Sequence, residues 1–265
     1  MDGEDLDSSV NFDVIRVKNN KKEELTQPVA TEVPCTIVVN GNEVVTIMCT
    51  PTFMKEFAVG YLYTSGMIKS AHDVTNFYCD TKRWRLDVNT VKEIDTELLG
   101  KRIYTSGCGK GVLYANVIAL SYRHPLESDF SVTNEFVTRC VKWFFKCSSL
   151  YKETHGVHTA ALSVNVEIPQ LYIDDIGRHN ATDKVIGNAL MNSVDLSRVL
   201  LLCTGRISSE ILHKVKRCGI PIVLSRGAPT HQTVMMAREM GVTVIGFARG
   251  ESLTIYSHSD RIVFD

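Results

Sequence analysis

Two β-branched runs, VPCTIVVN and NEVVTIMC, flank Asn40-Gly41, a dipeptide that accepts the positive φ of a tight turn. The pattern predicts that the fold opens on a β-hairpin. Residues 1–27 before it are polar and mixed in charge, acids first and then KNNKKEE, and read as a flexible tail. Thr50-Pro51 reads as an N-cap with proline in the first turn, followed by Phe53, Phe57, Ala58, Tyr61 and Leu62 at helical spacing. A second amphipathic helix, capped by Ser131 or Thr133, carries Phe136, Val137, Cys140, Val141, Phe144 and Phe145 to about Lys152, and its aromatic stripe reads as core. After Thr154 short apolar strands alternate with helices: HTAALSV, QLYIDD, a helix from His179, RVLLLC, a helix from Ser208, IPIVLS, a helix from Thr230, then VTVIGFA. That rhythm predicts an α/β layer of mainly parallel strands. The change of rhythm places a smaller α+β domain at 28–128 and an α/β domain at 129–265.

Composition adjusts this picture little. Of the 265 residues, 44 % are apolar and 22 % charged, which is ordinary folded usage. Lys plus Arg number 29 against 30 Asp plus Glu, so there is no global basic field for nucleic acid or an anionic membrane, and any bound anion must be met by local clustering. The longest nearly pure apolar run, Val199 to Cys203, is far too short to span a bilayer. The N-terminus has neither an apolar signal region nor a transit-type composition, which makes the expected setting cytoplasmic. Eight cysteines without a Cys-x-x-Cys fit neither a disulfide scaffold nor a zinc ribbon, so free thiols are expected.

Candidate chemistry gathers where strands run into helices. Thr204-Gly205-Arg206-Ile207-Ser208 and Ser225-Arg226-Gly227-Ala228-Pro229-Thr230 each set a guanidinium beside a helix start with free backbone N–H groups, a corner suited to phosphate or carboxylate. Asp175, Arg178 and His179 form a related turn, and Arg249 follows the last strand. Open α/β sheets bind ligands beyond the carboxyl ends of their strands, so the four arginines predict a pocket for a phosphorylated ligand. The alternative is that they cap loops or pair with Asp174, Asp175 and Glu210. No GxGxxG or GxxxxGK[ST] is present, and the zinc-deaminase signature is missing. His155-x-x-His158 has a metal-capable spacing without a nearby carboxylate or cysteine, and no metal site is assigned. In Thr105-Ser106-Gly107-Cys108-Gly109-Lys110-Gly111, glycines open the loop and Lys110, Lys101 and Arg102 favour a thiolate, so Cys108 is the candidate reactive thiol, against an idle exposed one.

The motifs GYLYTSGMI, TSGCGKGV, THGVHTAAL, DDIGRHNATDKVIG, TGRISSEILHK, SRGAPTHQTVMMARE and VIGFARGESLTIYSH resemble, in order from about Val33 to Val263, the FdhD/NarQ family of formate dehydrogenase accessory sulfurtransferases. The resemblance implies a cytidine-deaminase-like three-layer α/β domain without zinc ligands, joined to the smaller N-terminal α+β domain, as a homodimer. It implies a carrier that accepts persulfide sulfur from a cysteine desulfurase and transfers it to the bis(molybdopterin guanine dinucleotide) molybdenum cofactor for formate dehydrogenase. Cys108 matches the family's persulfide cysteine, and Gly111 stands where many members carry a second cysteine. Phe247, Ala248, Arg249, Gly250, Glu251 and Ser252 match a cofactor-binding stretch. With Gly205, Arg206, Ser208, Ser225, Arg226, Asp175, Arg178 and His179 they make the expected cofactor site, with a pocket for the guanine nucleotide. The missing second cysteine motivates one alternative, a cofactor-binding chaperone without sulfur chemistry.

Overall fold

Residues 7–93, 102–104, 112–114 and 124–264 are described in the computed structural model, and its first element corrects the reading of a flexible tail. Strand β1 (Ser9–Lys18) pairs antiparallel with β2 (Lys21–Ala30) through ten residue pairs. Asn19 and Asn20 at the tip have φ of 50° and 61°, the two left-handed positions of a type I′ turn, which asparagine tolerates. Val10 sits opposite Val29 and Val14 opposite Leu25, while Thr26 Oγ1 donates to Asp13 Oδ1 at 2.8 Å. The charge of the segment hid a regular cross-strand pattern.

The hairpin around Asn40-Gly41 forms as predicted from β3 (Val33–Val39) and β4 (Asn42–Cys49). With β5 (Val74–Asp80) and β6 (Arg85–Thr90) it makes a four-stranded sheet in the order β4-β3-β6-β5. Helix α1 (Met54–Thr64) packs Phe57, Ala58, Tyr61 and Leu62 into this sheet's core. It starts later than Thr50-Pro51 suggested, with Phe53 in the N-cap position and no side-chain cap bond. Thr50 is engaged elsewhere: its hydroxyl accepts from Ile176 N–H, its own N–H donates to Asp175 and its carbonyl accepts from Lys184, all between the two halves of the chain. Two short strands, β7 (Arg102–Tyr104) and β8 (Val112–Tyr114), pair antiparallel.

The C-terminal half is built on six strands: β10 (His158–Val164), β11 (Tyr172–Asp175), β12 (Val199–Cys203), β13 (Ile222–Ser225), β14 (Thr243–Arg249) and β15 (Ser252–Ser257), in the order β11-β10-β12-β13-β14-β15. A short parallel pair, β9 (Val132–Thr133) with β16 (Ile262–Val263), ties the start of this half to the chain's end. Period-two alternation divides the sheet residues between two cores. Leu200, Leu202, Ile222, Leu224 and Ile245 meet α2 (Asn134–Cys147); Leu201, Val223 and Val244 meet α4 (Arg178–Met191), α5 (Ser209–Arg217) and α6 (His231–Met240). The result is a helix–sheet–helix sandwich. Its sheet is mixed, which corrects the expectation of mainly parallel strands: the pairs β12–β13 and β13–β14 are parallel, the other three antiparallel. A parallel return needs a crossover, and neither residues 165–171 nor Gly250-Glu251 contains a helix to make one. Because β10 runs against β12, its first residues lie beside the carboxyl end of β12.

The aromatic helix does not continue to Lys152. It stops at Cys147, and Ser148, in extended geometry, caps a separate short helix α3 (Ser149–Thr154) by accepting from Tyr151 N–H at 2.8 Å. Ser148 Oγ also donates to Asp174 at 2.8 Å, which holds the break in place.

The two halves meet where α1 crosses α4 at Gly60 and Gly187. A methyl group on Gly60 would strike the Asp183 carbonyl, and one on Gly187 the Glu56 carbonyl. Two buried ion pairs flank the crossing. Lys184 Nζ lies 2.6 Å from Asp175, and Lys214 Nζ lies 2.7 Å from Asp183, whose carboxylate also accepts from Thr64. Each lysine meets a carboxylate and further oxygens, the condition under which a buried charge is tolerated.

Candidate functional site

Sequence makes the strand-end loops short and small-residue-rich, and the structure zips them together. Ile207 N–H donates to Ala228 O, Thr230 N–H to Ile207 O, and Phe247 N–H to Gly227 O. Ser225, fully buried, donates to Gly205 O at 2.5 Å and accepts from Gly227 N–H at 3.0 Å. Gly227 packs against the Gly205 carbonyl so closely that any side chain there would collide with it. Thr204 N–H donates to Thr159 O, which ties the start of β10 to the same edge.

Over this stitched edge lies a cavity of about 460 Å³, a size usual for small-molecule sites. Thr204, Gly205, Arg226, Gly227 and Arg249 form its floor and one side; Phe144, Phe145, Ser148 and Tyr151 form another, and His155 to Thr159 with Ile176 close it. Among the described lining residues Arg226 and Arg249 are the permanently charged ones, and no Asp or Glu is present. The Arg226 guanidinium stacks on the Phe145 ring at 4.9 Å, which orients a planar cation without neutralising it. Tyr151 and His155 meet edge to face, ring centroids 5.3 Å apart. The cavity therefore suits an anion carrying a flat apolar part.

His158 lines the cavity, and His179, at the start of α4, is buried. Thr204 Oγ1 accepts from Thr159 N–H at 3.0 Å and lies 3.0 Å from His158 Nδ1, within hydrogen-bond distance of the ring. Burial, then the Arg178 charge, pushes His158 below the ordinary histidine range. His179 is held well below it by burial, Arg178 and Lys214. Its Nε2 lies 3.3 Å from both Ser208 Oγ and Glu210 Oε2.

The FdhD/NarQ family model matches residues 30–263. The chain belongs to the FdhD/NarQ family. The sulfur carrier protein FdhD of Listeria monocytogenes is 37 % identical over 244 residues, covering 91 % of this chain and 93 % of that protein. The protein of the same name from Bacillus subtilis is 34 % identical over 252 residues, covering 94 % and 96 %. The crystal structure of a Desulfotalea psychrophila protein assigned as a formate dehydrogenase accessory protein is similar with a TM-score of 0.78 and 25 % identity, covering 97 % of this chain and all of that one. The mixed α/β fold is thus shared along nearly the whole chain.

Within this FdhD/NarQ chain the expected site residues divide into three groups. Gly205, Arg226 and Arg249 line the cavity, and the Arg178 side chain passes against Gly205 and beneath the floor. Ser225 supports it from behind through its bonds to Gly205 and Gly227, while Ser208 and His179 contact each other outside the lining. The remainder point elsewhere. Asp175 is wholly buried and committed to Lys184, Thr50 and Asn180, so it is a fold residue and not a ligand contact. Arg206 is exposed and, like Arg178, outside the cavity lining, so two of the four expected arginines line the cavity. Phe247 is exposed, Ala248 is in the core, Gly250 turns the β14–β15 connection, Glu251 pairs with Lys142 at 2.8 Å, and Ser252 sits across from Arg249. Of that stretch, Arg249 is the residue facing the cavity. Cys108 lies outside the described residues. Sequence reasoning missed Tyr151, Phe145 and His158 as cavity residues; the break at Ser148 and the Thr-His-Gly-Val-His segment were the available signals.

Among the described residues no helix is long and apolar enough to cross a membrane, and no three His, Cys, Asp or Glu side chains gather as a metal site.

Proposed function

We propose that this FdhD/NarQ chain is a sulfur carrier in formate dehydrogenase maturation that holds the guanine nucleotide end of the bis(molybdopterin guanine dinucleotide) cofactor in the strand-end cavity. The observation that carries the reading is the pairing of Arg226 and Arg249 with aromatic walls and no carboxylate among the described lining residues. The arginines take the pyrophosphate and the rings take the base. The names of the Listeria and Bacillus relatives support the sulfur-carrier part, and the Desulfotalea protein supports the formate dehydrogenase part. The helix–sheet–helix half is read as the cytidine-deaminase-like domain.

In this proposal the Cys108 thiolate attacks the outer sulfur of a desulfurase persulfide, the desulfurase cysteine leaves as thiolate, and Cys108 becomes a persulfide. Release of that sulfur as sulfide onto the molybdenum cofactor consumes two electrons, supplied by a thiol pair that closes to a disulfide. Incubation with a cysteine desulfurase and cysteine should add the mass of one sulfur atom to the peptide containing Cys108, and Cys108→Ser should abolish the gain. An unmodified Cys108 that still supports formate dehydrogenase activity would refute the transfer step. It would favour the chaperone reading, which Gly111 in the place of a second cysteine motivates.

A further inference from the structure

His155 ends α3 in the left-handed region, φ 52° and ψ 12°, where a residue with a side chain is strained. Its surroundings impose that conformation three times over. His155 N–H donates to Tyr151 O at 2.8 Å, Gly156 N–H donates to Thr154 Oγ1 at 3.1 Å, and a methyl group on Gly156 would crowd Ala30 of the N-terminal ribbon. Glycine would satisfy the same turn without strain. The chain instead keeps an imidazole at the cavity mouth, exposed, edge to face with Tyr151 at 83°. Strain held in place at a cavity wall is a reason to look for a ligand contact there.

We infer that His155 and Tyr151 form an aromatic corner that grips the flat heteroaromatic ring of a nucleotide whose phosphates reach Arg226 and Arg249, and that His155 sets the preference for a ligand with such a ring over a bare phosphate. This rests on the anion-binding reading of the cavity and assigns a separate task to one residue. The two rings meet at right angles, so together they offer a face and an edge to a third ring, the arrangement aromatic groups favour. His155 is then a specificity-determining residue that takes no part in sulfur chemistry.

The test is a calorimetric titration of the full chain with GDP and, separately, with inorganic pyrophosphate, for wild type, His155→Asn, His155→Phe and His155→Gly. Asparagine tolerates the left-handed backbone and lacks the ring; phenylalanine keeps a ring. The expected result is that Asn and Gly weaken GDP about tenfold, the scale of one base–aromatic contact, leave pyrophosphate unchanged, and that Phe holds GDP within about threefold of wild type. His155→Gly should also melt no lower than wild type without ligand, which separates lost contact from lost fold. Equal weakening of GDP and pyrophosphate, or no effect on GDP, overturns the role of His155 while the cavity reading stands. A wild-type chain that binds neither compound overturns both.

Discussion

The crossing of α1 over α4 and the rim of the strand-end cavity both concentrate positive charge, and they treat it in opposite ways. At the crossing, Lys184 and Lys214 are buried, each with a carboxylate within 2.7 Å and further oxygens around it. At the rim, Arg226 and Arg249 are exposed, one stacked on a ring, with no carboxylate in the described lining. A cation whose partner is built into the chain holds the fold. A cation whose neighbours orient it without neutralising it is left to a ligand.

That contrast breaks most easily at the crossing. Gly187→Ala forces a methyl group into the Glu56 carbonyl; we expect a loss of 4 kcal/mol or more, on the order of the whole stability of a marginal domain, seen as insoluble protein or a collapsed denaturation midpoint. Lys184→Met strands Asp175 in the core and should cost about 3–5 kcal/mol in urea unfolding. At the rim the sign pattern reverses. Arg226→Ala or Arg249→Ala should weaken GDP binding by about 1.5–3 kcal/mol each, with the melting temperature of the unliganded protein unchanged. Acid sharpens the comparison further. His213 is pushed down to about 4 by burial, so below its ordinary value of 6.5 the unfolded chain takes up a proton that the folded chain refuses. Stability should fall between about pH 6.5 and 4, by roughly 3 kcal/mol from this group, and a His213→Gln variant should show a shallower fall. The smallest effect belongs to Lys142–Glu251, an exposed pair between α2 and the β14–β15 turn: Glu251→Ala should leave the urea unfolding midpoint where it is in wild type.

The regular parts of the fold were legible from residue pattern. Asn40-Gly41 marked the first hairpin of the four-stranded sheet, and the strand–helix alternation after Thr154 located the C-terminal sandwich. What misled was local context that long-range partners override. Thr50 looked like a cap because caps are read from neighbours in sequence, yet its hydroxyl is taken by Ile176, 126 residues away. Asp175 looked like a ligand residue because it precedes a helix; Lys184, on the next turns of that helix, claims it. The ribbon at residues 9–30 was hidden by its charges, although Asn19-Asn20 is a turn signal of the same kind as Asn40-Gly41. Strand direction, too, is decided by what connects the strands, and the helix-free link at 165–171 was the sign that β10 and β11 run antiparallel. That Arg226 and Arg249 share one cavity was legible because the carboxyl ends of the neighbouring strands β13 and β14 lie side by side in the sheet; Arg206 is exposed and outside that lining.

The central claim, that a phosphate-bearing nucleotide sits between Arg226, Arg249 and the aromatic wall, is tested most directly by titrating GDP into the wild-type chain and the Arg226→Ala, Arg249→Ala double variant in a calorimeter at fixed salt. We predict saturable binding at one site per chain, lost in the double variant while its unfolding curve overlays that of wild type. Binding of equal strength in the double variant, or none in the wild type, would contradict it.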